Sequence, residues 1–539
     1  MFLLQRAWRF YLPARFFFIV GLGLGLSGCL RHEPPADVTI INGAEPESMD
    51  PQIITGQADM RIVQGLFEGL MRLDPKTARA VPGMAERYEV SPDGKVYTFH
   101  LRTNLMWSTG EPIQAADYVY AWHRALAPET ASEYAGQLYY IKNGEAYNNG
   151  KLADANQVGV QALDALTLRV ELEHPTAFFI ELCAFPTLYL VPRQTIEKYG
   201  DGWTRARPLP SCGAFELVDW RLNDKSRLRK NPRYWDAANT RSEIIDLLPI
   251  AGATTALNVY EQERADIVWD KNLVPSELLD VLIHRPDFHT FSYLGTMFVR
   301  FNITRKPFDD PRVRRALGMA IDRERIVKKI TRGGEPATTS LVPPGVANYD
   351  PVPGLDYNPE AARKLLAEAG YPGGKGFPRF TDLVYGVKLY EDIGVEMQQM
   401  WQENLGITME LRPLEWKVYL GAQAHLDYEV CQASWIGDYN DAQTFLGMFT
   451  SEDGNNHTGW KNPEYDALIA KAGDQTDLKV REHIFQQAET LLVRDQAPIV
   501  PVYVYMGLNY FRTNRVEGIY QNLLDDHPLQ AIHRIAAPH

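Results

Sequence analysis

Hydrophobic periodicity changes midway along this chain, and that change restricts its fold more than any other feature. Between residues 88 and 232 the apolar residues alternate in short runs broken by turn formers. YEVSPDGKVYTFHLR (88–102) places Pro92-Asp93-Gly94 between two alternating arms, and FELVDWRLNDKSRLRKNP (215–232) places Asn223-Asp224 near its turn. With VGVQALDALTLRVELE (158–173), these stretches read as hairpins. VTIING (38–43) reads as a strand, QGLFEGLMRL (64–73) as a helix, and TGEPIQAADYVYAWHRAL (109–126) as a turn leading into a helix. From SYLGTMFVRFNI (292–303), a strand-rich run, the pattern shifts to amphipathic helices. These are DDPRVRRALGMAIDRERIVKKI (309–330), NPEAARKLLAEAG (358–370) and GVEMQQMWQENLG (394–406). They alternate with the strands ITMELRP (407–413) and IVPVYVYMGLNYF (499–511). Hairpins followed by β–α alternation predict a mixed α/β protein. Its 539 residues exceed the roughly 250–300 at which one core stops growing, so two or three lobes are expected.

The N-terminus points to a compartment. Arg6, Arg9 and Arg15 precede FFFIVGLGLGLSGC (16–29), an apolar run too short to span a bilayer that ends in small residues. Leu26-Ser27-Gly28-Cys29 resembles the bacterial lipobox. The expectation is a signal peptide over 1–28, lipid on Cys29 and a tether over 29–37; an ordinary signal or a short anchor helix is the alternative. Leu30 is not the aspartate that retains some lipoproteins at the inner membrane, so the final membrane stays open. Loss of three arginines takes the net charge from −13 to about −16 (−13 − 3). That acidity argues against nucleic acid as a partner, since phosphate binding needs clustered Lys and Arg. Cys183, Cys212 and Cys431 match no zinc or CxxC spacing. A Cys183–Cys212 disulfide and free buried thiols both remain open.

Catalytic and metal motifs are missing. HExxH, GxSxG and GxxxxGK[ST] do not occur, and PGGKGF (372–377) reads as a loop. DYND (438–441) looks like a calcium loop until Gln443 and Phe449 are found where Gly and Glu are required. No metal site, cofactor or catalytic residue is expected. A hydrolase built on two distant carboxylates keeps its place as an alternative, because such acids carry no strict local signature. One stretch remains unexplained: WIGDYNDAQTF (435–445) strands Asp438 among aromatics at the end of the alternating run EVCQASW (429–435). Asp438 is a general acid, a metal ligand, a helix cap or a clamp for an incoming cation. Asn440 and Asp441 are the better candidates to cap the helix expected near Ala442.

Several stretches line up with one family. PGMAERYEVSPDGKVYTFHLRTNLMWSTGEPIQAADYVYAW (82–122) resembles the signature of the family 5 extracellular solute-binding proteins, the ligand-capturing components of ABC importers. KPFDDPRVRRALGMAIDRERIV (306–327), NPEAARKLLAEAGYPGG (358–374) and IVPVYVY (499–505) match the same family in the same order. QMWQENLGI (399–407), LEWKVYL (414–420) and WIGDYNDAQTFL (435–446) are similar to the oligopeptide-binding branch. The resemblance implies an α/β, three-lobed, type II periplasmic-binding-protein-like fold in which two lobes close on a two-strand hinge beside an accessory lobe. The implied bounds are 38–68, 190–290 and 507–539 for lobe I, 69–189 for the accessory lobe II, and 291–506 for lobe III.

The resemblance also assigns roles. In oligopeptide-binding relatives the acid of WxxDYN pairs with the peptide's α-ammonium, and Asp438 occupies that position. Such a pair is a charge-assisted hydrogen bond, since an α-amino group near pKa 8 is cationic at neutral pH. Trp416 and Trp435 match tryptophans that line side-chain pockets, and Tyr134 and Tyr505 match tyrosines near the first ligand residues. Ser434 and Ile436, beside Trp435, are expected to pair with an extended peptide through their backbones. Three positions depart from the family: cationic residues that hold a peptide carboxylate are replaced by Gln432, Tyr390 and Gln423. Amine capture with weak control of peptide length is therefore expected. The implied partners are an oligopeptide, an ABC permease and a membrane reached through lipid on Cys29, with the chain a monomer in the periplasm or on the cell surface. A muropeptide, an opine, a nickel chelate or a sensory role are the alternatives within binding proteins.

Overall fold

The computed structural model describes residues 33–535, apart from the side chains of residues 271, 276, 416 and 417. Cys29 and the leader lie outside the described residues. The chain opens with β1 (Val38–Ile41) and helix α1 (Gln57–Leu66). The helix expected over 64–73 thus lies earlier, and Met71–Leu73 is a strand paired with Ala80–Pro82. Packing overrides helical spacing here: the Met71 N–H donates to the Cys183 carbonyl, and a Cβ on Gly69 would collide with that same oxygen, so the chain passes too close for any side chain.

The alternating runs form the hairpins their patterns demand. A small antiparallel sheet combines β2 (Ala85–Val90), β3 (Val96–Leu101), β4 (Val160–Ala162) and β5 (Thr167–Glu171) in the order β2-β3-β5-β4. Helix α2 (Ala115–Leu126) buries Tyr118, Trp122 and Leu126 in the core shared with this sheet. Next come β6 (Phe215–Arg221), β7 (Lys225–Lys230), β8 (Ile244–Leu248), β9 (Ile267–Trp269) and the long β10 (Phe288–Phe301). Alternation of helix and strand then sets in with α3 (Pro311–Met319), β11 (Phe380–Tyr385), α4 (Lys388–Leu405), β12 (Met409–Leu414), α5 (Trp416–Ala424) and β13 (Val430–Ile436). The short α6 (Gln443–Leu446), α7 (Leu478–Thr490) and the long β14 (Ile499–Phe511) complete the set. Start signals are where the sequence puts them. Asp310 caps α3 by accepting from the Arg312 N–H with Pro311 behind it, and Asp477 caps α7 in the same way.

One ten-stranded sheet runs through the molecule in the order β12-β11-β13-β10-β14-β9-β1-β8-β7-β6. Its two central strands belong to both halves. Phe288–Ser292 of β10 pairs with Met506–Tyr510 of β14, and Thr296–Arg300 pairs with Ile499–Val504. The register shifts between Ser292 and Thr296, an irregularity that breaks the ladder where the halves meet. Gly295 sits in that break, where a side chain would collide with Ile436 of β13. Separate cores lie under each half, but Tyr439, in the turn after β13, joins the core of the hairpin-rich half. Cys183, Cys212 and Cys431 are buried free thiols, so the disulfide alternative is not realised. Burial pushes the Cys431 thiol up to about 12.

Candidate functional site

β13 pairs with β10 along its whole length but with β11 only at Val430 and Cys431. From Gln432 to Ile436 its second edge is therefore open. The alternation of an antiparallel ladder says which peptide groups face that edge. Glu429 accepts from the Asn302 N–H (3.0 Å), and the Gly437 N–H donates to Leu294 (2.8 Å), so odd-numbered residues turn toward β10. Even-numbered residues turn outward, as the Gln432 carbonyl does in accepting from the Tyr419 hydroxyl (2.5 Å). Ser434, which is exposed, and Ile436 thus present free backbone groups outward.

Asp438 stands at the end of this edge. Its backbone N–H donates to Thr444 Oγ1 (3.2 Å), which also accepts from Trp435 Nε1 (3.3 Å). The side chain reaches the cleft, yet protein encloses it on most sides. Burial pushes its pKa up to about 6, opposed by a hydrogen bond from Gln137. No lysine or arginine among the described residues pairs with it. The next three residues of the turn are engaged elsewhere. Asp441 takes both ends of the Arg481 guanidinium (2.7 and 2.8 Å) and accepts from the Gln443 N–H (2.9 Å), serving the start of α6. Asn440 does not cap that helix: its Oδ1 accepts from the Ala347 N–H (2.9 Å). Tyr439 stacks on Phe178 with centroids 4.6 Å apart and planes 6° from parallel, and shares a hydrogen bond with Tyr140.

Two cavities meet at Asp438. The first is an open cleft of about 940 Å³, its solvent-filled mouth included, lined by Ile436, Asp438, Phe185 and the α1 residues Gln57, Arg61 and Gln64. The second is an open cleft of about 1250 Å³, its solvent-filled mouth included, lined by Trp435, Asp438, Gln137 and Tyr140. Tyr134 packs edge-on against Phe185 (5.1 Å). Burial and, next, the Asp438 charge push its hydroxyl up to about 12. The side chain of Trp416 lies outside the described residues; its backbone opens α5.

The three neutral positions sit deeper. Gln432 is buried and donates from Nε2 to Asp382 Oδ2 (3.1 Å) and to the Tyr390 carbonyl (3.0 Å). Asp382 is itself buried, and desolvation pushes it up to about 7. The Tyr390 and Tyr505 hydroxyls lie 3.1 Å apart, and Tyr505 also bonds Ser434, so these residues form one chain under the open edge. Gln423 accepts from Arg300 Nη1 (2.7 Å), a buried guanidinium with no carboxylate partner among the described residues. Sequence reasoning passed over Arg300, Asp382, Gln137 and Tyr140. None carries a local motif, and each reaches the site from a distant segment.

The model for "Bacterial extracellular solute-binding proteins, family 5 Middle" matches residues 79–457. The chain is 37% identical over 477 residues to the periplasmic oligopeptide-binding protein OppA of Salmonella typhimurium, covering 86% of each. It is 36% identical over 473 residues to the probable deoxycholate-binding periplasmic protein YgiS of Escherichia coli, again covering 86% of each. Among solved structures, the unliganded open form of the periplasmic murein tripeptide-binding protein MppA superposes with a TM-score of 0.80 at 32% identity. That match covers 93% of this chain and 97% of the other.

Proposed function

The chain belongs to the family 5 bacterial extracellular solute-binding proteins, and on that premise we propose that it captures oligopeptides by their free N-terminus and delivers them to an ABC permease. The family is one of solute-binding transport proteins rather than enzymes, with a mixed α/β, type II periplasmic-binding-protein fold. The observation that carries the reading is Asp438: a carboxylate largely enclosed by protein, with no cationic partner among the described residues, where two cavities meet, at the end of an open strand edge. A peptide α-ammonium supplies the missing charge, and the outward backbone of Ser434 and Ile436 offers strand pairing that does not read sequence. Ile436 and Tyr134 wall the first residues, Trp435 lines one side-chain space, and Trp416 and Tyr505 are proposed as further walls.

A steroid carboxylate would meet Asp438 with like charge, so the relative named for deoxycholate does not redirect this reading. A murein peptide with a free amino end would use the same clamp, in line with the murein tripeptide-binding neighbour. With Gln432, Tyr390 and Gln423 neutral, no side chain at those positions grips the ligand's carboxylate. Peptides of different lengths are then expected to compete within a few-fold of one another. Lipid on Cys29, the monomeric state and the three lobe bounds complete the proposal.

Mass spectrometry of ligands released from purified protein is the direct test: intact peptides with free amino ends are expected. Recovery of amine-free molecules, or hydrolysis of an added peptide pool, overturns the reading. A competition series from di- to octapeptide tests the length claim, which a sharp tripeptide optimum would sink.

A further inference from the structure

We propose that a cleft at the outer edge of the ten-stranded sheet is a binding site for a phosphate group. It shares no residue with the two cavities at Asp438, so it stands apart from the peptide reading. β6 is the last strand of the sheet, and Glu216 on it lines an open cleft of about 1000 Å³, solvent-filled mouth included. Ser108 and Thr109 reach the cleft from the loop before α2, and Arg207 from the segment leading into β6. Arg229 of β7 and Arg233 just beyond it complete the polar lining.

Charge is the first argument. Three arginines and one glutamate line the cleft, and no lysine, histidine or aspartate does, in a chain of net charge −13. Arg229 pairs with Glu216 (2.7 Å), which cancels one charge of each sign. Arg207 and Arg233 have no carboxylate partner among the described residues. Each is tied to main-chain carbonyls through Nη1 alone. Arg207 donates to Ala206 (2.7 Å) and Thr204 (3.2 Å), and Arg233 donates to Ser108 (2.8 Å). The Nε and Nη2 donors of both guanidiniums are left for a ligand. Desolvation lowers the Arg207 pKa, and Asp219, whose charge opposes that shift, is itself paired with Arg221 (3.0 Å).

The hydroxyls are the second argument. Ser108 is only 8% exposed, and its Oγ accepts from the Ser211 N–H (3.1 Å). Its own proton has no acceptor among the described residues. Thr109 adds a second hydroxyl at the exposed rim. Two anchored guanidinium forks and two hydroxyls suit a phosphate, whose oxygens the forks meet in pairs while the hydroxyls take another. A carboxylate has only two oxygens and would leave the hydroxyls unmet.

Exposed arginines also gather anions diffusely, and phosphate stabilises proteins by exclusion from their surfaces. Binding is therefore read by phosphorus NMR line broadening on the full chain at fixed ionic strength. Inorganic phosphate is expected to bind with a Kd on the order of 1 mM. The Arg207→Gln/Arg233→Gln double variant should weaken it by about tenfold or more. Arg205→Gln, at an exposed arginine outside the cleft lining, should leave it unchanged. Tetra-alanine should bind all three proteins alike. No broadening with the unaltered protein overturns the site, as does an equal loss in Arg205→Gln. Should the double variant not fold, Thr109→Glu decides by setting a like charge at the rim: it should abolish phosphate binding, and undiminished binding overturns the site. Glycerophosphoglycerol, the soluble phosphodiester of a phospholipid headgroup, then identifies the source. Affinity within about threefold of inorganic phosphate assigns the cleft to a headgroup, and anything weaker assigns it to free phosphate or a monoester, whose second charge both guanidiniums reward.

Discussion

At the scale of one residue, Asp438 sets a conflict between stability and function. Its pKa rises from the ordinary carboxylate value to about 6, so the folded state holds its proton more tightly than the unfolded state does. The stability this group contributes is therefore present below about pH 4 and lost as pH climbs through about 6. Asp438→Asn should stabilise ligand-free protein at pH 7.5 by on the order of 1–2 kcal/mol after allowance for its opening to the cleft, read as a higher melting temperature, with little change at pH 4. The same substitution should weaken a free-amine peptide by about 10- to 100-fold, the worth of a charge-assisted hydrogen bond. Binding by the unaltered protein should strengthen as pH rises through about 6 and weaken above the α-amino pKa near 8. A flat profile, measured by calorimetry, would remove Asp438 from recognition. The acid was legible in the sequence because the WxxDYN pattern is contiguous. Its partner Gln137 was not, since no periodicity links a residue 301 positions upstream (438 − 137) to the same turn.

At the scale of elements, the turn after β13 is held by groups that leave Asp438 free. Arg481 of α7 grips Asp441, and both side chains are about 95% buried. Glu489, also on α7, accepts from the Leu341 and Val342 N–H groups (2.8 Å each) and from the Tyr349 hydroxyl (2.6 Å). It thereby fixes the segment whose Ala347 N–H binds Asn440. Removing one member of a buried ion pair strands the other, at a cost of about 3–5 kcal/mol. Arg481→Met and Asp441→Asn should each destabilise on that order in urea unfolding, and the double variant by less than their sum. Strict additivity would mean that the pair is not coupled. The sequence announced Asp441 as a cap and nothing more, because a buried partner on a helix 40 residues on leaves no local trace. Hairpins were legible from period alone, as were the helices over 358–370 and 394–406, whereas the stretch 309–330 is broken into Pro311–Met319 and Arg323–Ile326. The segment 64–73 was not, because the close approach at Gly69 is decided by the Cys183 carbonyl, at the end of a short helical turn more than 100 residues away.

At the scale of the whole molecule, the turn that holds Asp438 also joins the halves. Tyr439 stacks on Phe178 and enters the core of the hairpin-rich half, so the turn that carries Asp438 is anchored to that half as well as to β13. In the proposed capture cycle, closure without a ligand desolvates a carboxylate that has no cation, whereas closure on a peptide pairs it with an ammonium. A ligand shifts such an equilibrium only by its differential affinity for the two states, and Asp438 is where that difference is concentrated. Four results follow for small-angle scattering on purified protein. Tetra-alanine should shrink the radius of gyration at pH 7.5, and its N-acetylated form should not. Ligand-free Asp438→Asn should already be more compact than the ligand-free unaltered protein, since neutralisation removes the cost of empty closure. The unaltered protein should approach that compactness at pH 5, where Asp438 is protonated. Tyr439→Ala should undo the compaction in every case while leaving Asp438 in place. If Asp438→Asn and the unaltered protein scatter alike at pH 7.5, the acid reads the ligand but does not guard the cleft.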